Sequence, residues 1–178
     1  FAPIIFSGFL LVPGYLGRVV YAFFVFCLIS SAVYIFNDLL DIKSDRQHPF
    51  KKLRPIASGA ISIPIAVFLF LMLTGVALIG AGLVSGFLLV AVLAYLALNI
   101  VYSLWWKKVP IVDVFVIATG FVLRVYGGSF VINVHMDVWF LLTVISASLF
   151  LAVGKRRSEM TLMQQKAISR ETLSHYTP

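Results

Sequence analysis

Ile35-Phe36-Asn37-Asp38-Leu39-Leu40-Asp41-Ile42-Lys43-Ser44-Asp45 is the point where an apolar run, Gly17 to Phe36, gives way to charge. A helical run of about 20 apolar residues is what the ~30 Å hydrocarbon core of a bilayer requires. The charged continuation keeps helical spacing. Asp38 and Asp41 are three apart, and Asn37, Asp41 and Asp45 are each four apart. Residues at those separations share a face, so one flank carries three carboxylates and an amide. A membrane-crossing helix that ends in an acidic stripe is the reading from which the rest follows.

Outward from that stretch the pattern repeats. Apolar runs cover Ile61 to Ala81, Gly86 to Trp106, Ile111 to Ile132 and Val138 to Val153. The opening run, Phe1 to Val12, is too short to span a bilayer and reads as the end of a truncated first helix closed by Pro13-Gly14. The composition agrees, at 61% hydrophobic and 12% charged, whereas soluble domains average about 45–50% apolar and about 25% charged. Membrane strands would alternate lipid-facing and polar residues, and these runs are apolar on every side. The expected fold is all-α, a polytopic transmembrane bundle with about six spans in one domain over residues 1–178. The chain starts at Phe1, already in an apolar run, and is expected to be a fragment of a longer protein.

The basic residues set the orientation. Lys43, Arg46, Lys51, Lys52 and Arg54 follow the second run, Lys107 and Lys108 the fourth, and Lys155, Arg156, Arg157, Lys166 and Arg170 the sixth. Alternating spans put these twelve of the fourteen Lys and Arg on one side and only Arg18 on the other. The positive-inside rule makes that side cytoplasmic, so a multi-pass cell-membrane protein with its polar face toward the cytoplasm is expected. Trp105, Trp106 and Trp139 sit near run ends, where amphipathic rings favour the interface. A nucleic-acid-binding protein spreads its basic residues over a folded surface; here they lie between apolar runs, so nucleic acid is not an expected partner. Cys27, the single cysteine, lies within a run and reads as a small hydrophobe. The opening run shows no basic leader and no Ala-x-Ala site, so no cleavable signal peptide is expected.

Three carboxylates on one flank repel each other, more so at a membrane surface where the dielectric is low. Surface pairing with Lys43, Arg46 and Lys51 is one remedy. A divalent cation is the other, and hard oxygen ligands suit magnesium, which takes one or two carboxylates together with substrate phosphate oxygens. Asp38, Asp41 and Asp45 are the metal and catalytic candidates, with Asn37 as an orienting amide. Lys51, Lys52 and Arg54 are placed to hold phosphate oxygens that the metal does not reach.

Asn-Asp-x-x-Asp-x-x-x-Asp at the end of a second span, followed by Arg54-Pro55-Ile56-Ala57-Ser58-Gly59, resembles the first signature of the UbiA superfamily of intramembrane prenyltransferases. The resemblance implies about nine helices around a central cavity. Typical members carry a second Asp-rich motif after the sixth helix, to hold a second magnesium. Here that segment reads Gly154-Lys155-Arg156-Arg157-Ser158-Glu159, with no aspartate beyond it. The departure is similar to the decaprenyl-phosphate phosphoribosyltransferase branch, which shares Gly-Lys-Arg-x-x-Glu. That branch also shares a Tyr-x-x-x-x-Lys run, here Tyr102 to Lys107, and a Val122-Leu123-Arg124 helix with Gly127-Gly128. The resemblance implies magnesium as cofactor, phosphoribosyl pyrophosphate and a membrane-borne polyprenyl phosphate as substrates, pyrophosphate as leaving group, and a product that feeds arabinose donors for the cell wall. An aromatic or quinone prenyltransferase of the same superfamily, using a prenyl diphosphate, is the alternative; a transporter without chemistry is the third reading. A homo-oligomer is left open.

Other candidates carry two readings each. Arg124 lies midway along an apolar run, where a charge costs about 3 kcal/mol unless it finds partners. It is either held structurally or turned into the cavity toward phosphate. Lys107 is a catalytic candidate or an interfacial residue with its amine reaching to water, and Asp113 reads as a residue near a helix N-terminus that interacts with the helix dipole. Tyr102 and Asn99 offer either cavity hydrogen bonds or helix contacts. Lys155, Arg156 and Glu159 are candidates for phosphate or ribose contacts. His48 reads as turn packing before Pro49, and His135 and Asp137 as structural.

Overall fold

The computed structural model describes residues 1–48, 50–108 and 112–174, with the side chains of these except at 108, 155, 156 and 159–174. Six α-helices follow in order: α1 (Ala2–Phe6), α2 (Tyr15–Gln47), α3 (Ile63–Val84), α4 (Gly86–Leu104), α5 (Val112–Phe130) and α6 (Val138–Ser174). No strand occurs among the described residues. The fold is the all-α bundle expected from hydropathy.

Four of the helices, α2 to α5, are long and apolar enough to cross a membrane, and the apolar part of α6, Val138–Gly154, is shorter. Their outer faces expose large apolar side chains, among them Phe24, Phe68, Leu71, Ile79, Phe87 and Phe150. Continuous apolar surface of this kind marks contact with lipid rather than water. This is a multi-pass membrane protein.

The opening run is not one helix continuing to Pro13-Gly14 as expected. It folds as α1 and a separate 3₁₀ turn at Phe9–Leu11, because Gly8 adopts φ 74°, a left-handed conformation that interrupts the helix. The second helix outruns its apolar segment. With 33 residues it extends about 50 Å at 1.5 Å per residue, so its last three turns, Asn37 to Gln47, carry the acidic stripe past the apolar part.

Helix α2 is the centre of the bundle. Val19, Ala22, Val25, Phe26, Ile29 and Val33 pack into the main core with Ala77 and Ala81 of α3 and Leu88, Ala91, Val92 and Tyr95 of α4. Small residues let membrane helices approach closely. The Tyr21 hydroxyl donates to the Gly80 carbonyl at 3.3 Å across the α2–α3 contact. A single extended residue, Ser85, joins α3 to α4 and turns the chain back on itself. On α5, a Cβ at Gly127 would lie 2.3 Å from a Phe26 ring carbon, so glycine is what admits that ring. The C-terminal ends of α2 and α4 meet at the same end of the bundle.

Candidate active site at one end of the bundle

The loop after α2 folds back onto it. The His48 Nδ1 accepts from the backbone N–H groups of Phe50 and Lys51, each at 3.3 Å, which turns the chain. The Arg46 Nε donates to the Ala57 carbonyl at 3.1 Å and anchors the returning strand of loop. Between these two ties Arg54 points at the acidic stripe. Its Nη1 donates to Asp38 Oδ1 at 2.8 Å and to Asp45 Oδ2 at 2.9 Å. Asp38 and Asp45 are seven residues apart, two helical turns, so one guanidinium spans the flank. The remaining carboxylate, Asp41, accepts from the Lys107 ammonium, which the 3₁₀ turn after α4 delivers.

Three carboxylates thus meet two cations, leaving one formal negative charge in the cluster. The cations are Arg54 and Lys107. Lys43 and Lys51 make no ion pair among the described residues. Asp45 is buried, with 4% of its side chain exposed, whereas Asp38 and Asp41 keep 26% and 24%. The two outer carboxylates can accept a ligand; Asp45 is committed to Arg54.

Beneath the cluster lies a cavity of about 340 Å³ between α2, α4, α5 and α6. Its polar lining is Tyr34, Asn37, Tyr95, Asn99, Tyr102 and Arg124. Asn37 is the link between cavity and stripe: its side-chain amide meets the Ser103 hydroxyl, whose oxygen also lies 2.6 Å from the Asn99 carbonyl, so that its one proton serves either partner. Tyr102 and Asn99 line this cavity, and the Asn99 amide donates to the Tyr95 carbonyl of its own helix at 2.8 Å. Asp113 sits buried in the first turn of α5, where the helix dipole favours it.

Arg124 forms a second polar centre at the floor of this cavity. Its Nη2 donates to Tyr95 Oη at 2.6 Å and to Ser30 Oγ at 3.1 Å, and Ser30 Oγ in turn donates to Tyr95 Oη at 3.3 Å. The guanidinium carbon stands 4.8 Å from the Tyr95 ring centre and 5.6 Å from that of Phe121. It makes no ion pair with an acid among the described residues.

Lys51 is exposed in the 3₁₀ turn after α2 and makes no ion pair with the carboxylates. Lys155, Arg156 and Glu159 lie on α6, and their side chains are outside those described. Ser30, Tyr95 and Ser103 were not singled out from the sequence. Their signal was spacing: Tyr95, Asn99 and Tyr102 form a polar stripe on α4, and Ser30 and Tyr34 continue the acidic flank of α2 downward.

Comparison with known proteins now decides the family. The UbiA prenyltransferase family matches residues 1–159. This chain belongs to the UbiA prenyltransferase family. Among its relatives, a decaprenyl-phosphate phosphoribosyltransferase of Corynebacterium glutamicum is 37% identical over 161 residues, covering 88% of this chain and 48% of that protein. The enzyme of the same name from Mycobacterium tuberculosis is 34% identical over 163 residues, covering 91% of this chain and 54% of that protein. The chain therefore spans about half the length of the curated relatives it matches. A solved UbiA homologue from Archaeoglobus fulgidus, bound to DMAPP and Mg2+, superimposes with a TM-score of 0.66 at 23% identity, over 76% of this chain and 48% of that one. That likeness establishes the UbiA fold.

Whether the carboxylates fit a magnesium ion is a question of donors. Among the described residues no group of three or more His, Cys, Asp and Glu side chains is gathered into a cage. Magnesium does not ask for one: it is held through one or two carboxylates with phosphate oxygens and water completing the shell. Asp38 and Asp41, hard oxygen donors that remain partly exposed, meet that description.

Proposed function

We propose that the full-length protein transfers phosphoribosyl from phosphoribosyl pyrophosphate to a polyprenyl phosphate, taken as decaprenyl phosphate, and releases pyrophosphate. In this reading it is a magnesium-dependent phosphoribosyltransferase of the cell membrane. Its carboxylate end faces the cytoplasm, and its product supplies arabinose donors for cell-wall arabinan. The observation that carries the reading is the meeting of three carboxylates of α2 with only two cations, Arg54 and Lys107, beside a polar cavity. Such a place suits an anion that arrives with a cation. Two further facts support the branch. Relatives over nearly all of this chain carry the phosphoribosyltransferase name, and Gly154 to Glu159 offers basic residues where a second acidic motif would hold a second metal.

Asp38 and Asp41 would hold the magnesium, with Asp45 fixing Arg54 against them. When bound, the ion neutralises charge that builds on the departing pyrophosphate. The chain's own residues do the rest. Lys107 and Arg54 lie beside the same carboxylates and lend positive charge to the leaving group. Asn37, held by Ser103, and Tyr102 offer hydrogen bonds to the ribose. Lys51, Lys155, Arg156 and Glu159 are proposed as further phosphate and ribose contacts.

In the reaction a phosphate oxygen of the lipid forms a bond to the anomeric carbon as that carbon's bond to pyrophosphate breaks. The bonding electrons leave with pyrophosphate. A phosphate monoester is anionic at neutral pH, so no general base is needed and catalysis rests on positioning.

The test is turnover by purified full-length protein in lipid, given labelled phosphoribosyl pyrophosphate and polyprenyl phosphate with magnesium. Label entering the lipid fraction is the expected result. Labelled lipid formed only from a prenyl diphosphate and an aromatic acceptor would overturn the reading in favour of an ordinary prenyltransferase.

A further inference from the structure

The floor of the cavity has a polarity the carboxylate end does not explain. Ser30 lies eight residues before Asp38 on α2, about 12 Å deeper at 1.5 Å per residue. Arg124 is twelve residues into α5 from Val112, about 18 Å from that end and so near the middle of a ~30 Å hydrocarbon core. A guanidinium there needs compensation, and among the described residues it receives only hydroxyls and ring faces. These neutral groups hold it in place without cancelling its charge.

The donor inventory is more specific. Both described hydrogen bonds of Arg124 leave from Nη2, so the Nη1 and Nε N–H groups remain as separate charged donors, each able to meet a single phosphate oxygen. Tyr95 Oη accepts from Arg124 and from Ser30. Its own proton is therefore available to a third group, and Tyr95 lines the cavity. Arg124 also lines a second cavity, of about 410 Å³, walled by Val19, Ala22, Phe23, Phe26 and Cys27 of α2 and by Gly128 of α5. Pockets of ~300–1,000 Å³ are the size that holds small ligands. Phe1 completes the wall of this one, and its polar side chains are those of Ser30, Ser31 and Arg124.

A fixed cation with free donors, set at the boundary between a polar cavity and an apolar one, matches an amphipath with an anionic head. We propose that Arg124, Tyr95 and Ser30 form the headgroup site for the lipid phosphate, and that the first part of its chain enters the apolar cavity along α2. The phosphate then approaches the sugar from beneath, while the water-soluble substrate occupies the upper cavity beside Asp38 and Asp41. This assignment rests on the phosphoribosyltransferase reading only for the lipid's identity. The site itself requires a phosphomonoester on an apolar chain.

Equilibrium binding to the full-length protein in nanodiscs, with EDTA and no sugar substrate, separates the two. The probes are labelled polyprenyl phosphate, the corresponding polyprenol, and inorganic phosphate as competitor. The wild type is expected to prefer polyprenyl phosphate over polyprenol, with millimolar inorganic phosphate competing weakly. Arg124→Met should weaken lipid-phosphate binding by about ten- to hundred-fold, as loss of charge-assisted hydrogen bonds does. Tyr95→Phe, which keeps the ring, should cost about three- to tenfold, and Arg124→Lys should restore part of the loss. Asp41→Asn should leave this binding intact while abolishing magnesium-dependent binding of phosphoribosyl pyrophosphate. Equal binding of polyprenyl phosphate and polyprenol by the wild type would overturn the proposal. So would wild-type affinity in both Arg124→Met and Tyr95→Phe. Lipid-phosphate binding that depends on Arg124, without phosphoribosyl transfer, would sustain this site and sink the proposed reaction. Transfer with an Arg124→Met defect only in the KM for phosphoribosyl pyrophosphate would do the reverse.

Discussion

The two polar centres of this bundle are built on opposite plans. At the end of α2, three carboxylates face two cations, drawn from a loop and from the turn after α4. Some 12 Å deeper by helical rise, one guanidinium faces two hydroxyls and two aromatic rings, with no acid beside it among the described residues. The first centre has negative charge to spare and the second positive. The difference teaches that the cavity is polarised along its length, so that a cation-bearing ligand and a bare anion would be sorted to different depths.

The largest effect should come from the upper centre. Asp41→Asn keeps size and hydrogen bonding but removes the charge that Lys107 and a bound cation would share. Turnover should fall by roughly 10²–10³, the loss seen when one electrostatic contact to a transition state is removed. It should do so without loss of thermal stability, because Asp41 is partly exposed. Near-wild-type turnover would break the comparison at its upper end.

Next is Arg54→Met. One guanidinium holds both Asp38 and Asp45, and Asp45 is 4% exposed. Removing one partner of a buried pair costs ~3–5 kcal/mol. With 39% of the Arg54 side chain exposed, the loss should be smaller, about 2 kcal/mol. Thermal unfolding in detergent measures it. Arg54→Lys should recover only part: both bonds leave from one terminal nitrogen, Nη1, and a lysine ammonium ends one bond shorter and is more strongly hydrated. Full stability in both variants would show that the loop does not depend on this clamp.

Gly127→Ala probes the lower centre through packing alone. Phe26 sits against Gly127, and its ring meets Tyr95 edge-on at 6.0 Å. An added methyl forces Phe26 to shift at a cost of about 1–2 kcal/mol, the usual penalty for overpacking. The shift should pass to Tyr95 and Arg124. Lipid-phosphate affinity should drop while magnesium-dependent binding at the upper centre is unchanged, which sharpens the separation of the two.

How much of this was legible in the sequence depends on range. The helices were, because a lipid-facing segment is apolar on all sides and needs no partner to be recognised. The acidic stripe was also legible, since three- and four-residue spacing is local. The partners of that stripe were not. Lys107 is 66 residues from Asp41, and among the five basic residues from Lys43 to Arg54 nothing local distinguishes Arg54. It is chosen by the His48 turn and the Arg46–Ala57 tie, which aim it back at α2. Tyr95 was hidden for a different reason. A tyrosine in an apolar run reads as core; the four-residue spacing to Asn99 puts it on a polar stripe, but the partner that gives it a role is set against it only by α5. In the opening run a single left-handed glycine, Gly8, divided what hydropathy joined.

The smallest effect tests the joint between the centres. Asn37 belongs to the acidic stripe by sequence and to the cavity wall by position, and the Ser103 hydroxyl fixes its amide. Ser103 is anchored in turn to the Asn99 carbonyl, so α2 and α4 are tied here through one oxygen. Ser103→Ala removes that oxygen and leaves the Asn37 amide free to rotate. A neutral hydrogen bond contributes about 1 kcal/mol, which corresponds to a fall of about fivefold in kcat/KM. Because Asn37 is proposed to meet the sugar and not the lipid, the loss should appear in the KM for phosphoribosyl pyrophosphate. Affinity for polyprenyl phosphate should stay at the wild-type value. If instead both substrates lost affinity together, Asn37 would be setting the helix spacing that both centres share, and the division by depth would lie below the level of Tyr95.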